Sequence, residues 1–142
     1  MERERRIAYV RHELAKARDD LETAHVDFAA GKYRRASICA YYTIFHFASA
    51  ALLWHDEERS KHSGVDAAFK SVLVKQNSVE DEFFRIFLKA RKMREEQDYS
   101  REAVFPSEDE TRQVIADAER FVARIERYLR EVGALEADSE EN

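Results

Sequence analysis

Residues 36–54, "ASICAYYTIFHFASAALLW", run for nineteen positions without an Asp, Glu, Lys or Arg, in a chain whose residues are 37% charged. Nineteen uncharged residues approach the length of a membrane-crossing helix. Ser37, Tyr41, Tyr42, Thr43, His46 and Ser49, however, would each need a polar partner in lipid. A helix apolar on nearly every side is also what the centre of a helical bundle requires. We read this run as a buried central helix rather than a membrane span. Its small residues, Ala36, Ala40, Ala48 and Ala51, let neighbouring helices approach closely, within the chain or across a dimer.

The rest of the chain supplies helices to surround it. Three Gly and one Pro in 142 residues disfavour turn-rich β architectures. Ile7, Val10, Leu14, Ala17, Leu21, Ala24 and Phe28 step by three and four, an amphipathic helix closed by Gly31. "HDEERSKHSG" reads as a charged loop, and Val65, Ala68, Phe69, Val72 and Leu73 mark a short helix. After "KQNS", with Ser78 as the expected N-cap, Phe83, Phe84, Phe87 and Leu88 give the next helix its apolar face. Asp81 or Glu82 falls in its first turn, and it runs through Arg94 towards Tyr99. Ser107 caps a last helix striped by Val114, Ala118, Phe121, Ile125, Tyr128 and Val132 and ended by Gly133. The predicted fold is all-α: an up-and-down four-helix bundle with an additional short helix. It forms one domain over residues 1–132, followed by an acidic, disordered tail over 133–142.

Net charge is −5, yet the last ten residues hold four acids and no base, so the remainder is close to neutral. A nucleic-acid role therefore requires a local basic patch. A single cysteine, Cys39, excludes an intramolecular disulfide framework and is expected to be a buried, inert thiol. "MERERRIAYV" lacks the apolar core of a signal peptide, so a reducing cytoplasm is the expected location. The five histidines show no helical metal-ligand spacing, and no metal or cofactor is expected. His46 is expected to be a hydrogen-bonded core histidine.

"KARKMREEQDYS", residues 89–100, sets four bases in six positions before Asp98-Tyr99. One reading is a solvated helix face laced with the i,i+4 pairs Arg91–Glu95, Lys92–Glu96 and Arg94–Asp98. These run base before acid, the weaker orientation for helix support. The other reading is a phosphate-attracting surface of Lys89, Arg91, Lys92 and Arg94, with Tyr99 as a phenol or stacking face. Lys61 and His62, at a loop-to-helix junction, are free to meet the same kind of ligand.

The order "GKYRRASICAYYTIFHFASAALL", "KHSGV", "ARKMREEQDY" resembles the HEPN domain family, in particular its small single-domain prokaryotic branch, over residues 5–130. The resemblance implies a helical homodimer. It also implies a metal-independent endoribonuclease, an RNA or nucleotide binder, or the toxin partner of a minimal nucleotidyltransferase. The family's active members follow an arginine, which holds the scissile phosphate, with a histidine that moves protons. Here Arg94 matches the arginine and Tyr99 a following tyrosine, while Asp98 stands just before that tyrosine and no histidine follows. A carboxylate of ordinary pKa is a poor proton donor at neutral pH. The resemblance thus implies a site of Arg94, Asp98 and Tyr99, with Lys89, Arg91, Lys92, Lys61 and His62 as RNA- or nucleotide-binding residues. Tyr99 is, in addition, a possible acceptor of a nucleotidyl group. The expected function is a dimeric module that partners a nucleotidyltransferase and binds RNA or nucleotide with weak or no catalysis. The alternatives are a ribonuclease toxin using Arg94 and a purely structural dimer.

Overall fold

The computed structural model describes residues 2–55, 62–103 and 105–136, and of residues 62 and 63 the backbone alone. They form α1 (Arg3–Ala29), α2 (Tyr33–Trp54), α3 (His62–Phe69), α4 (Asp81–Tyr99) and α5 (Glu108–Glu131). Among the described residues there is no strand. The four long helices and one short helix are the predicted all-α architecture. The charged loop expected over 55–64 is shorter than that, because α3 already begins at His62.

α2 is the hub, packed by α1, α3, α4 and α5. It is long and apolar enough to cross a membrane, but 61% of its most apolar window is buried inside the fold. Ala36, Ala40, Ala48 and Ala51 are fully buried, so the helices that flank α2 pack against its backbone with little side chain between. Around it, the Tyr41, Phe69, Phe87 and Phe121 rings meet at centroid separations of 5.4–6.3 Å. Tilted and edge contacts of this kind favour aromatic rings beyond the area they bury.

The helix ends follow from local chemistry. At Gly31 (φ +76°) the chain turns left-handed, with Lys32 N–H donating to Asp27 C=O at 2.8 Å and Gly31 N–H to Phe28 C=O at 3.0 Å. Gly133 repeats this Schellman closure after α5. Beyond it Ala134 is buried, and residues 137–142 of the expected tail lie outside the described residues. Ser107 accepts from Glu110 N–H at 3.1 Å while Glu110 reaches back to Ser107 N–H at 2.9 Å, a complete capping box.

Two local expectations are corrected. Ser78 is not the cap of α4; that position is Glu80, in extended conformation and without a side-chain cap bond. Ser78 instead ends the preceding helix, which continues past α3 as a π-helical turn at Lys70–Val74. Its N–H donates to Leu73 C=O after Asn77 turns left-handed (φ +61°), and its carbonyl accepts from Arg124 Nη2 at 2.7 Å. Cys39 is half-buried rather than buried. Its thiol is still pushed up by burial and by the acids Asp20 and Asp27, which keeps it protonated and inert.

Candidate phosphate-facing site at the ends of α2 and α4

The buried stripe of α4 is Phe83, Ile86, Phe87, Ala90, Arg94 and Gln97. Its helical spacing carries two polar residues into the core-facing side, so Arg94 lies among the interior residues rather than on the basic outer face. Its guanidinium sits 5.0 Å from the centroid of the fully buried Tyr41 ring. Nη1 donates to Asp98 Oδ2 at 2.7 Å, while Nε is buried and finds no hydrogen-bond partner among the described residues. Burial works against the charge. The polar contact of Tyr99 and the influence of Tyr41, Tyr42 and Asp98 more than offset it, holding Arg94 above its ordinary value. Arg94 is thus a permanently charged, pre-positioned guanidinium on an aromatic bed.

A second arginine reaches the same carboxylate. Arg34, in the first turn of α2, places Nη2 3.8 Å from Asp98 Oδ1. What sets this approach is a polar clasp between the two helices. Gln97 Nε2 donates to Ser37 Oγ at 3.0 Å, and Ser37 Oγ donates to Arg34 C=O at 2.8 Å. Ser37 and Gln97 are both buried, so the clasp satisfies groups that would be costly to leave unpaired.

The other predicted residues divide. Arg91 turns away from Arg94 to the buried Asp66 of α3, whose other oxygen accepts from Ala67 N–H at 2.8 Å, with Glu95 a further 3.6 Å partner for Arg91. Lys89 and Lys92 stand on the outer side of α4. With Met93 and Glu96 they face Asp109, Glu110, Gln113 and Val114 of α5 across a groove of about 520 Å³. Tyr99 is 73% exposed and borders a shallow pocket of about 450 Å³ with Lys92, Glu95, Glu96 and Ser100. Lys61 and the side chain of His62 lie outside the described residues.

The structure therefore brings Arg94, Asp98 and Tyr99 to one helix end and separates them from Arg91. It adds Arg34, Ser37, Gln97 and Tyr41, which sequence reasoning missed. Arg94 and Gln97 were detectable, since they continue the i, i+3/i+4 series from Phe83. Tyr41, Asp98 and Tyr99 meet Arg94, and no histidine stands among them. His46 belongs to the opposite side of α2, where Nδ1 meets Glu13 Oε2 at 2.8 Å and Nε2 lies 3.7 Å from Asp20. His46 is hydrogen-bonded as expected, but it lies half-buried between α1 and α2 rather than in the core.

Residues 10–128 match the HEPN domain family. A Methanocaldococcus jannaschii protein named "Putative toxin MJ0605" is 36% identical over 116 residues, 82% of this chain and 85% of that one. A Thermotoga maritima protein named "UPF0332 protein" is 32% identical over 131 residues, 92% of this chain and 96% of its own. The match spans the central α2 hub and the whole Arg34–Asp98–Arg94 cluster, and this chain belongs to the HEPN domain family.

Proposed function

We propose that the protein is a toxin-type HEPN module of the cytoplasm, a homodimer that partners a minimal nucleotidyltransferase and contacts RNA or nucleotide at the Arg94 end of α4 with weak or no catalysis. The observation that carries this reading is the state of Arg94. It is a buried, charged guanidinium held in place by Tyr41 and Asp98, with a carboxylate rather than an imidazole beside it. Such a group binds a phosphate well. Beside it stands the Asp98 carboxylate in place of the imidazole that acid–base cleavage uses, so the second half of that chemistry lacks its usual group. The relative named as a toxin supports the biological class.

The test is one assay with the parent and Arg94→Ala: binding and cleavage of a labelled single-stranded RNA in EDTA, with and without the nucleotidyltransferase encoded beside the gene. The expected result is binding that Arg94→Ala weakens about tenfold, with the RNA left intact. Equal binding by both proteins would remove Arg94 from the site. Rapid cutting by the parent that Arg94→Ala abolishes would make the protein a metal-independent ribonuclease instead.

A further inference from the structure

We infer that Arg34 and Arg94 form a two-arginine phosphate clamp, and that Asp98 is its built-in occupant, a carboxylate that an incoming phosphate must displace. The inference rests on the reading that this end of α4 meets RNA or nucleotide. It goes further by assigning Arg34 a ligand role and Asp98 an autoinhibitory one.

The geometry is that of an anion between two cations. Asp98 offers one oxygen to each arginine, Oδ2 to Arg94 at 2.7 Å and Oδ1 to Arg34 at 3.8 Å. Neither pairing is the bidentate fork that guanidinium and carboxylate prefer. Asp98 lies one helical turn from Arg94 on the same helix, so it engages a single nitrogen, and its approach to Arg34 is an ion pair without a hydrogen bond. The arginines arrive from different helices: the Tyr41 ring underlies the Arg94 guanidinium, and the Ser37–Gln97 clasp anchors the backbone from which Arg34 reaches over.

Three residues earlier, Arg91 shows what a closed pair looks like. Its partner Asp66 has a side chain 6% exposed and a backbone N–H on its second oxygen. Asp98, with a side chain 29% exposed, has access to solvent and no such second anchor among the described residues. The cluster of two bases and one acid carries one unit of excess positive charge. Exchanging the carboxylate for a phosphate group would satisfy both guanidinia with a tetrahedral set of acceptors. Tyr99, mostly exposed at the same helix end, is positioned to meet the nucleoside attached to that phosphate.

The experiment measures affinity for a labelled 12-nucleotide RNA, for ATP and for inorganic phosphate, using the full chain at several salt concentrations. The proteins are the parent, Asp98→Asn, Arg34→Ala and the Asp98→Asn/Arg34→Ala double variant, with melting temperatures as the folding check and Arg34→Gln as a second version of the Arg34 change. Asp98→Asn should bind RNA roughly five- to tenfold more tightly than the parent, the gain expected from removing one close negative charge. Arg34→Ala should abolish that gain and lower the salt slope by about one. Tightening towards RNA alone assigns the clamp to a phosphodiester; tightening towards ATP as well assigns it to a terminal phosphate. If Asp98→Asn binds no more tightly, or if the double variant keeps the gain, the clamp is wrong. In that event a weakened Arg94→Ala would still leave the proposed function standing. Absence of binding by every protein, Asp98→Asn included, would overturn both.

Discussion

α2 meets a cluster of three ionisable groups on each of two sides, and the two are opposites in arrangement. Towards α1, one histidine stands between two carboxylates, Glu13 at 2.8 Å and Asp20 at 3.7 Å. Towards α4, one carboxylate stands between two guanidinia, Arg94 at 2.7 Å and Arg34 at 3.8 Å. In the first cluster both acids come from α1, two turns apart, so the contact ties one helix to the other. In the second, the central acid shares a helix with its better partner, and the contact across helices is the longer one. The first arrangement fastens α1 to α2, with Lys16 also on Glu13 at 2.9 Å. The second adds little to the fastening and presents a surplus of base. The same α2 scaffold thus yields a structural clamp on one side and an exchangeable anion site on the other, decided by which group stands in the middle.

The comparison can be broken by stability measurements. The largest effect should come from Arg91→Ala, the reference for a closed pair. It strands Asp66 in the interior and should cost roughly 3 kcal/mol in urea unfolding, and a loss no greater than that of Asp98→Asn would erase the distinction between closed and exchangeable pairs. Next comes the α1 cluster. The hydrogen bond from His46 lowers Glu13 from 4.5 to about 2, with Lys16 assisting and burial opposing. A lowered folded value means that the contribution is present above about pH 4.5 and is lost as pH falls through about 2. The full shift corresponds to about 3 kcal/mol, and partial exposure reduces it to about 2 kcal/mol. Glu13→Gln should flatten that acid limb in unfolding curves recorded from pH 7 to pH 2. The smallest effect should be that of Asp98→Asn at pH 7, less than about 0.5 kcal/mol, as for an ordinary exposed i,i+4 pair. A cost as large as that of Glu13→Gln would make the α4 cluster a structural clamp like its counterpart.

Much of this was readable in the order of residues. The uncharged run became the hub because nothing else in the chain could be buried on so many sides. The stripes of α1 and α5, the glycine closures at Gly31 and Gly133 and the capping box at Ser107 are local chemistry, and local chemistry is visible in sequence. Ser78 misled because a serine ahead of two acids resembles a cap, whereas its N–H is taken by Leu73 and its carbonyl by Arg124, forty-six residues away. Arg34 was invisible for the same reason: its relation to Asp98 depends on the packing of α2 against α4, which Ser37 and Gln97 fix across sixty residues. Arg91 and Arg94 look equivalent in "ARKMR", yet one helical step apart they point to different neighbours, one to α3 and one to Tyr41. Spacing identified Arg94 as special only through the family resemblance, although its place on the Phe83–Phe87–Ala90 stripe carried the same message.

The burial of α2 also has a consequence for how the chain is made. α1 precedes it and can cover one side as soon as both helices have left the ribosome, but the side that meets α5 must wait until Glu108–Glu131 has been synthesised. At roughly 5–20 residues per second, the stretch from Trp54 to the end of α5 takes about 4–15 s. During that interval the most apolar helix of the protein is only half covered, which makes the nascent chain a natural client for a chaperone.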